Sequence, residues 1–146
     1  MSEQQLRQTI SALDISRAQL ENVSRQQEIV RGSLEEHIRA KATIDQFSKA
    51  GEDEQLLVPA GAGVFLHAKA GGKKSAIANI GAGVMMEKDL ADIIKLLDSR
   101  IEELRLAAQE LDEQAEKISY AVEELSADAQ QQYAALQGPG PAPKKK

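Results

Sequence analysis

The sequence predicts an α+β fold: a long antiparallel coiled coil interrupted at its centre by two β-hairpins. Three observations lead there. Two flanking segments of similar length carry apolar residues at helical spacing, with a single glycine and no proline between them. The middle is crowded with glycine, between short β-branched and aliphatic runs. Within that middle, GAGV occurs twice, at 61–64 and 81–84.

Residues 1–50 form the first helical segment, with Gly32 as its one glycine. Leu6, Ile10, Leu13, Leu20, Val23, Val30, Leu34, Ile38 and Ile44 recur in steps built from threes and fours, which places them along one helical stripe. Arg17, Ser24 and Gln27 stand where a strict heptad wants an apolar residue; polar seam residues weaken a coiled coil but help fix its register. Gly51 is placed to cap the helix C-terminus.

Residues 51–88 do not continue the helix, because Pro59 and six glycines (61, 63, 71, 72, 81 and 83) punctuate them. The runs LLV at 56–58, VFLHAKA at 64–70, SAIANI at 75–80 and VMM at 84–86 read as short strands. GGKK at 71–74 reads as a turn between two of them. The strand after each GAG resembles its counterpart about 20 residues away, as in a duplicated hairpin.

Residues 89–137 form the second helical segment. Leu90, Ile94, Leu97, Ile101, Leu104, Ala108, Leu111, Ala115, Ile118, Val122, Leu125 and Ala129 step alternately by four and three, a continuous a/d seam flanked by charged and amide residues. At 1.5 Å per residue each helix would be roughly 70 Å long. Gly138 and Pro139 end the segment, and residues 138–146, GPGPAPKKK, read as a disordered tail. Two seams of matching length, joined by a segment that reverses the chain, imply an antiparallel pair.

Composition agrees. Aromatics are 3% of the chain and tryptophan is absent, so the large side chains that fill compact cores are scarce. The net charge of −5 is spread over interleaved signs, which gives no basic face for nucleic acid. There is no cysteine, which excludes disulfides and thiolate metal sites. No apolar run approaches the roughly 20 residues of a membrane span. The opening MSEQQLRQ lacks the basic-then-apolar order of a secretory leader, so the expected compartment is the cytoplasm.

The repeated GAGV raises the question of a phosphate loop. A dinucleotide fingerprint needs G-x-G-x-x-G running from a strand into a helix. GAGVFL and GAGVMM both lack the third glycine and lead into strand-forming residues. KAGGKKS breaks the order of a P-loop. Glycines at bends between strands account for the pattern better. Catalysis finds no more support. His37 and His67 have no ligand-spaced partner, and the adjacent carboxylates Glu35/Glu36, Glu102/Glu103 and Glu123/Glu124 point about 100° apart on a helix. No catalytic, cofactor or metal site is expected. Binding through apolar residues is the remaining chemistry. Leu6, Ile10 and Leu13 lie near one helix end, and Val122, Leu125, Tyr133 and Leu136 near the other. An antiparallel pair brings these groups to one distal tip, where some complete the seam and some stay exposed.

The coil followed by LLVPAGAGVFLHAKA, a turn, AIANIGAGVMMEKDL and a second coil resembles the alpha-class subunit of archaeal prefoldin. The distinctive part is the Val-Pro-x-Gly-Ala-Gly element at 58–63, paired with the second GAGV. Two such hairpins point to the alpha class, since beta-class subunits carry one.

The resemblance implies an ATP-independent holdase chaperone, a hexamer of two alpha and four beta subunits. Its hairpins would join an oligomeric β-barrel platform through Val58, Gly61, Gly63, Val64, Phe65, Leu66, Ile77, Ile80, Gly81, Gly83 and Val84. Its tips would hold unfolded client proteins through Leu6, Ile10, Leu13, Val122, Leu125, Tyr133 and Leu136, then pass them to a group II chaperonin. Neither nucleic acid nor membrane is an expected partner. A coiled-coil tether without chaperone activity is the alternative; it would share the heptads but need no paired hairpins.

Overall fold

The computed structural model describes residues 2–72 and 74–138. Its elements run α1 (Glu3–Lys49), β1 (Gln55–Gly61), β2 (Val64–Lys69), β3 (Ser75–Gly81), β4 (Val84–Asp89) and α2 (Leu90–Gln137). The chain divides into two compact units, and each helix contributes to both.

One unit holds residues 2–31 and 106–138. Leu13, Val23 and Leu111 are its buried apolar side chains. Here Gln27 Nε2 on α1 donates to Asp112 Oδ1 on α2 at 2.8 Å. The start of α1 is fixed by a reciprocal cap. Ser2 Oγ accepts from the Gln5 amide at 3.2 Å, and Gln5 Oε1 accepts from the Ser2 amide at 3.1 Å. At the other end of the chain Gly138, at φ 67°, closes α2 with its N–H on the Ala135 carbonyl. The expected tail 138–146 lies outside the described residues beyond Gly138.

The second unit holds residues 32–105. Its core is Ala70, Leu90, Ile93, Leu97 and Ile101, packed where the hairpins meet the helices. Lys41 Nζ on α1 meets Asp98 Oδ1 on α2 at 2.6 Å. The duplication extends to the backbone. Ala70 N–H donates to Glu54 O and Leu90 N–H to Lys74 O, both at 2.9 Å, and each member of one pair lies 20 positions from its counterpart. Lys74 Nζ also donates to Ser48 O at 2.7 Å, and Arg100 Nη2 to Asn79 O at 2.9 Å. These last two bonds tie the second hairpin and the residue before it to the helices.

Two sequence expectations need correction. The inward row of α1 is Leu6, Thr9, Leu13, Ser16, Leu20, Val23, Gln27, Val30, Leu34, His37, Lys41, Ile44 and Ser48, stepping by three and four without a break. Ile10 and Ile38 are exposed beside it rather than part of it, and Arg17 and Ser24 face water. Choosing the nearest apolar residue at each turn displaced the stripe; a strict 3.5 repeat passes through polar residues instead. Gly51 does not cap α1 in a left-handed conformation. Its carbonyl accepts from the Glu54 amide at 3.1 Å, while its own N–H donates to Glu54 Oε2 at 3.2 Å, so it opens a turn of its own. GGKK lies between β2 and β3 as expected, joining two hairpins rather than closing one. β2 and β3 do not pair, and Gly71, Gly72 and Lys74 simply pass the chain from one hairpin to the next, with Lys73 outside the described residues.

Candidate functional site

The glycines act at the tips of the hairpins. Ala62 (φ 52°) and Gly63 (φ 77°) form the two-residue loop between β1 and β2, and Ala82 (φ 51°) and Gly83 (φ 76°) form the one between β3 and β4. Two consecutive positive φ values define a type I′ turn, whose twist matches that of the flanking strands. Before each loop the pairing skips a residue, Ala60 or Ile80, so each strand carries a bulge next to Gly61 (φ 102°) or Gly81 (φ 123°). The repeated GAG is therefore a bend and no phosphate cradle.

The hairpins leave their apolar residues uncovered. Register pairs Val58 with Leu66 and Pro59 with Phe65 in the first hairpin, and Asn79 with Met85 in the second. Side chains alternate between faces, so both faces of each hairpin carry apolar groups. Every expected platform residue with a large apolar side chain is exposed: Val58, Val64, Phe65, Leu66, Ile77, Ile80 and Val84, with Ile77 at 69%. Leu57, Met85 and Met86 are exposed as well and had not been singled out. Their signal was an unbroken apolar run instead of a strict alternation, the mark of a strand covered on both faces. Each sheet holds only two strands, so every strand keeps one edge without a main-chain partner among the described residues. Isolated two-stranded hairpins are marginal in water, and open edges invite further strands.

The second candidate region is where the start of α1 meets the end of α2. Gln5, Gln8, Thr9 and Ala12 line one groove with Leu125 and Gln132. Within the expected tip set, Leu13 is 6% exposed and belongs to the core, and Leu6, Val122 and Leu125 are half-buried in the seam. Ile10 (43%), Tyr133 (56%) and Leu136 (40%) face water. The Tyr133 hydroxyl accepts from Gln137 Nε2 at 2.7 Å. The polar lining of the groove was missed because heptad reading looks for apolar residues, and here the seam positions are Thr9 and Gln132.

The remaining candidates have plain surroundings. His37 is half-buried in the α1 seam with Nδ1 2.6 Å from Ser33 O, and His67 lies exposed opposite Leu57. Among the described residues, no three His, Asp or Glu side chains are placed to hold a metal ion, and no helix is long and apolar enough to cross a membrane.

Comparison with known proteins gives a consistent answer. Residues 16–135 match the family profile described as "Prefoldin subunit". A "Prefoldin subunit alpha" of Nitrosopumilus maritimus is 30% identical over 144 residues, covering 99% of each chain. One from Thermococcus onnurineus is 33% identical over 101 residues, 68% of this chain and 69% of that one. Among solved structures, filamentous PFD from Methanocaldococcus jannaschii matches with a TM-score of 0.67 at 19% identity, covering 81% of this chain and 98% of that one. The prefoldin beta subunit from Thermococcus strain KS-1 matches with a TM-score of 0.59 at 20% identity, covering 92% and 95%.

Proposed function

This chain belongs to the prefoldin family as an alpha-class subunit, and we propose that it acts as part of an ATP-independent holdase. In this reading two copies join four beta-class subunits through the hairpins. The coil tips hold unfolded proteins in the cytoplasm and pass them to a group II chaperonin. The observation that carries it is the set of large apolar side chains exposed on both hairpins, from Leu57 to Met86, beside open strand edges. Burying them costs a single chain nothing it already has, and neighbouring subunits supply both the missing strands and the cover.

Client binding rests on less area. Ile10, Tyr133 and Leu136 offer modest apolar patches, so each tip binds weakly and a ring of tips binds well. No hydrolysis is required, because competition from the chaperonin suffices for release. No catalytic role is assigned to any residue.

The test is the mass of the purified chain by light scattering with and without a beta-class partner, followed by an aggregation assay. A stable six-chain complex that keeps an unfolded protein soluble is the expected result. A chain that ignores both partner and client would leave a coiled-coil tether in its place.

A further inference from the structure

The second hairpin repeats the geometry of the first with one change of chemistry. Where β1 and β2 pair Phe65 with Pro59 and Leu66 with Val58, β3 and β4 pair Met85 with Asn79 and Met86 with Ala78, each 20 positions on and beside the same bulge. The bulky pair has become two thioethers. They are the only sulfur atoms among the described residues, and the chain holds no cysteine. Met85 is 59% exposed and Met86 47%. Successive side chains of a strand point to opposite faces, so each face of the hairpin carries one sulfur. Met85 shares its face with Ile77, itself open to water, and Met86 shares its face with Val84.

A thioether is apolar enough to be covered in an interface, yet peroxides convert it to a sulfoxide, which is polar and needs a hydrogen-bond partner when buried. Phenylalanine and leucine offer no such reaction at mild peroxide concentration. We propose that Met85 and Met86 form an oxidative modification site that controls whether the free chain can assemble. This role rests on the hairpins being the assembly surface and adds how that surface is regulated. The lone pair of each sulfur attacks one oxygen of hydrogen peroxide, the O–O bond breaks, and the other oxygen leaves as water with both protons. Sulfur is oxidised, peroxide is reduced, and no further reactant enters. The first hairpin stays apolar, while the second gains a polar group on each face. Subunits that cover the thioethers would then have to desolvate two sulfoxides. Once assembled, the same cover shields the sulfurs, so the chain is sensitive before assembly and protected after it. Methionine sulfoxide reductases, one for each sulfoxide epimer, restore the apolar surface.

The test treats the purified chain alone with dilute hydrogen peroxide, removes the peroxide with catalase, and then titrates in untreated beta-class partner. Peptide mass spectrometry locates the sulfoxides, light scattering reads assembly, and helix circular dichroism checks the fold. The control combines Met85→Leu with Met86→Leu, which keeps the surface apolar, as Leu66 does in the first hairpin, and retains Met1. Both methionines of the free wild-type chain are expected to oxidise with the helix melt unchanged. Reaching the six-chain mass should then take about 5–150-fold more partner for each sulfoxide, the range for burying a polar group without a hydrogen bond. Reductase treatment should reverse the change. The leucine variant should assemble equally with and without peroxide. In the preformed wild-type complex both methionines should oxidise more slowly.

Oxidised wild-type chain that assembles at the untreated concentration overturns the inference. So does a peroxide-treated leucine variant that assembles less well than its own untreated sample, since the damage then lies elsewhere. Oxidation at the same rate in the complex, or a lowered helix melt, overturns it too. If the leucine variant fails to assemble even untreated, the reductases decide: recovery of the six-chain mass upholds the inference, and its absence overturns it. Untreated wild-type chain that never joins the partner overturns the assembly reading itself, a separate result.

Discussion

Replacing Phe65 by serine separates a side chain that folds the chain from one that assembles it. Phe65 is 57% exposed on β2, opposite Pro59. A phenylalanine has about 200 Å² of surface to bury, so roughly 110 Å² awaits cover. At about 25 cal/mol per Å², covering it is worth about 3 kcal/mol, near a hundredfold in association per alpha subunit. The isolated chain loses little, because surface substitutions usually fall within about 0.5 kcal/mol. Thermal unfolding of the chain alone, followed by helix circular dichroism, should therefore be nearly unchanged. Titration with the beta-class partner, followed by light scattering, should require about a hundredfold more protein to reach the six-chain mass. Assembly at wild-type concentrations would show that Phe65 stays in water in the complex and that the platform lies elsewhere. A large drop in the melting temperature of the chain alone would show that its exposure was misjudged.

Four further outcomes follow from the same geometry. Gly81→Ala meets no steric neighbour, but φ 123° is forbidden ground for an L side chain, so about 1–3 kcal/mol of strain should lower the yield of complex while leaving the helix melt intact. Changing Ile10, Tyr133 and Leu136 together to serine should weaken client holding in the aggregation assay with no change in complex mass, whereas Leu13→Ala should lower the coil's stability by about 2–4 kcal/mol in a denaturant melt. Gln27→Leu replaces a half-buried seam amide and returns Asp112 to water, so the melting temperature of the chain should rise by the equivalent of about 1 kcal/mol.

Much of this molecule is written in local patterns. The α2 row from Leu90 to Ala129 could be read residue by residue, because heptad spacing is a property of one helix and needs no knowledge of its partner. The GAG bends were equally legible, since only glycine tolerates φ values such as those of Gly61 and Gly81 and only a tight turn needs them. The α1 seam was harder. Thr9, Ser16, Gln27, His37 and Lys41 are polar, and what makes them inward is the neighbouring helix rather than their own character.

The same limit governs the two candidate surfaces. The sequence located the strands, yet only their pairing showed that both faces of each hairpin and four strand edges lack cover among the described residues. At the tip, sequence spacing listed Leu13 and Tyr133 as equals. Packing buried the first and left the second in water, because position around the helix relative to the seam, and no property of the residue, sets exposure.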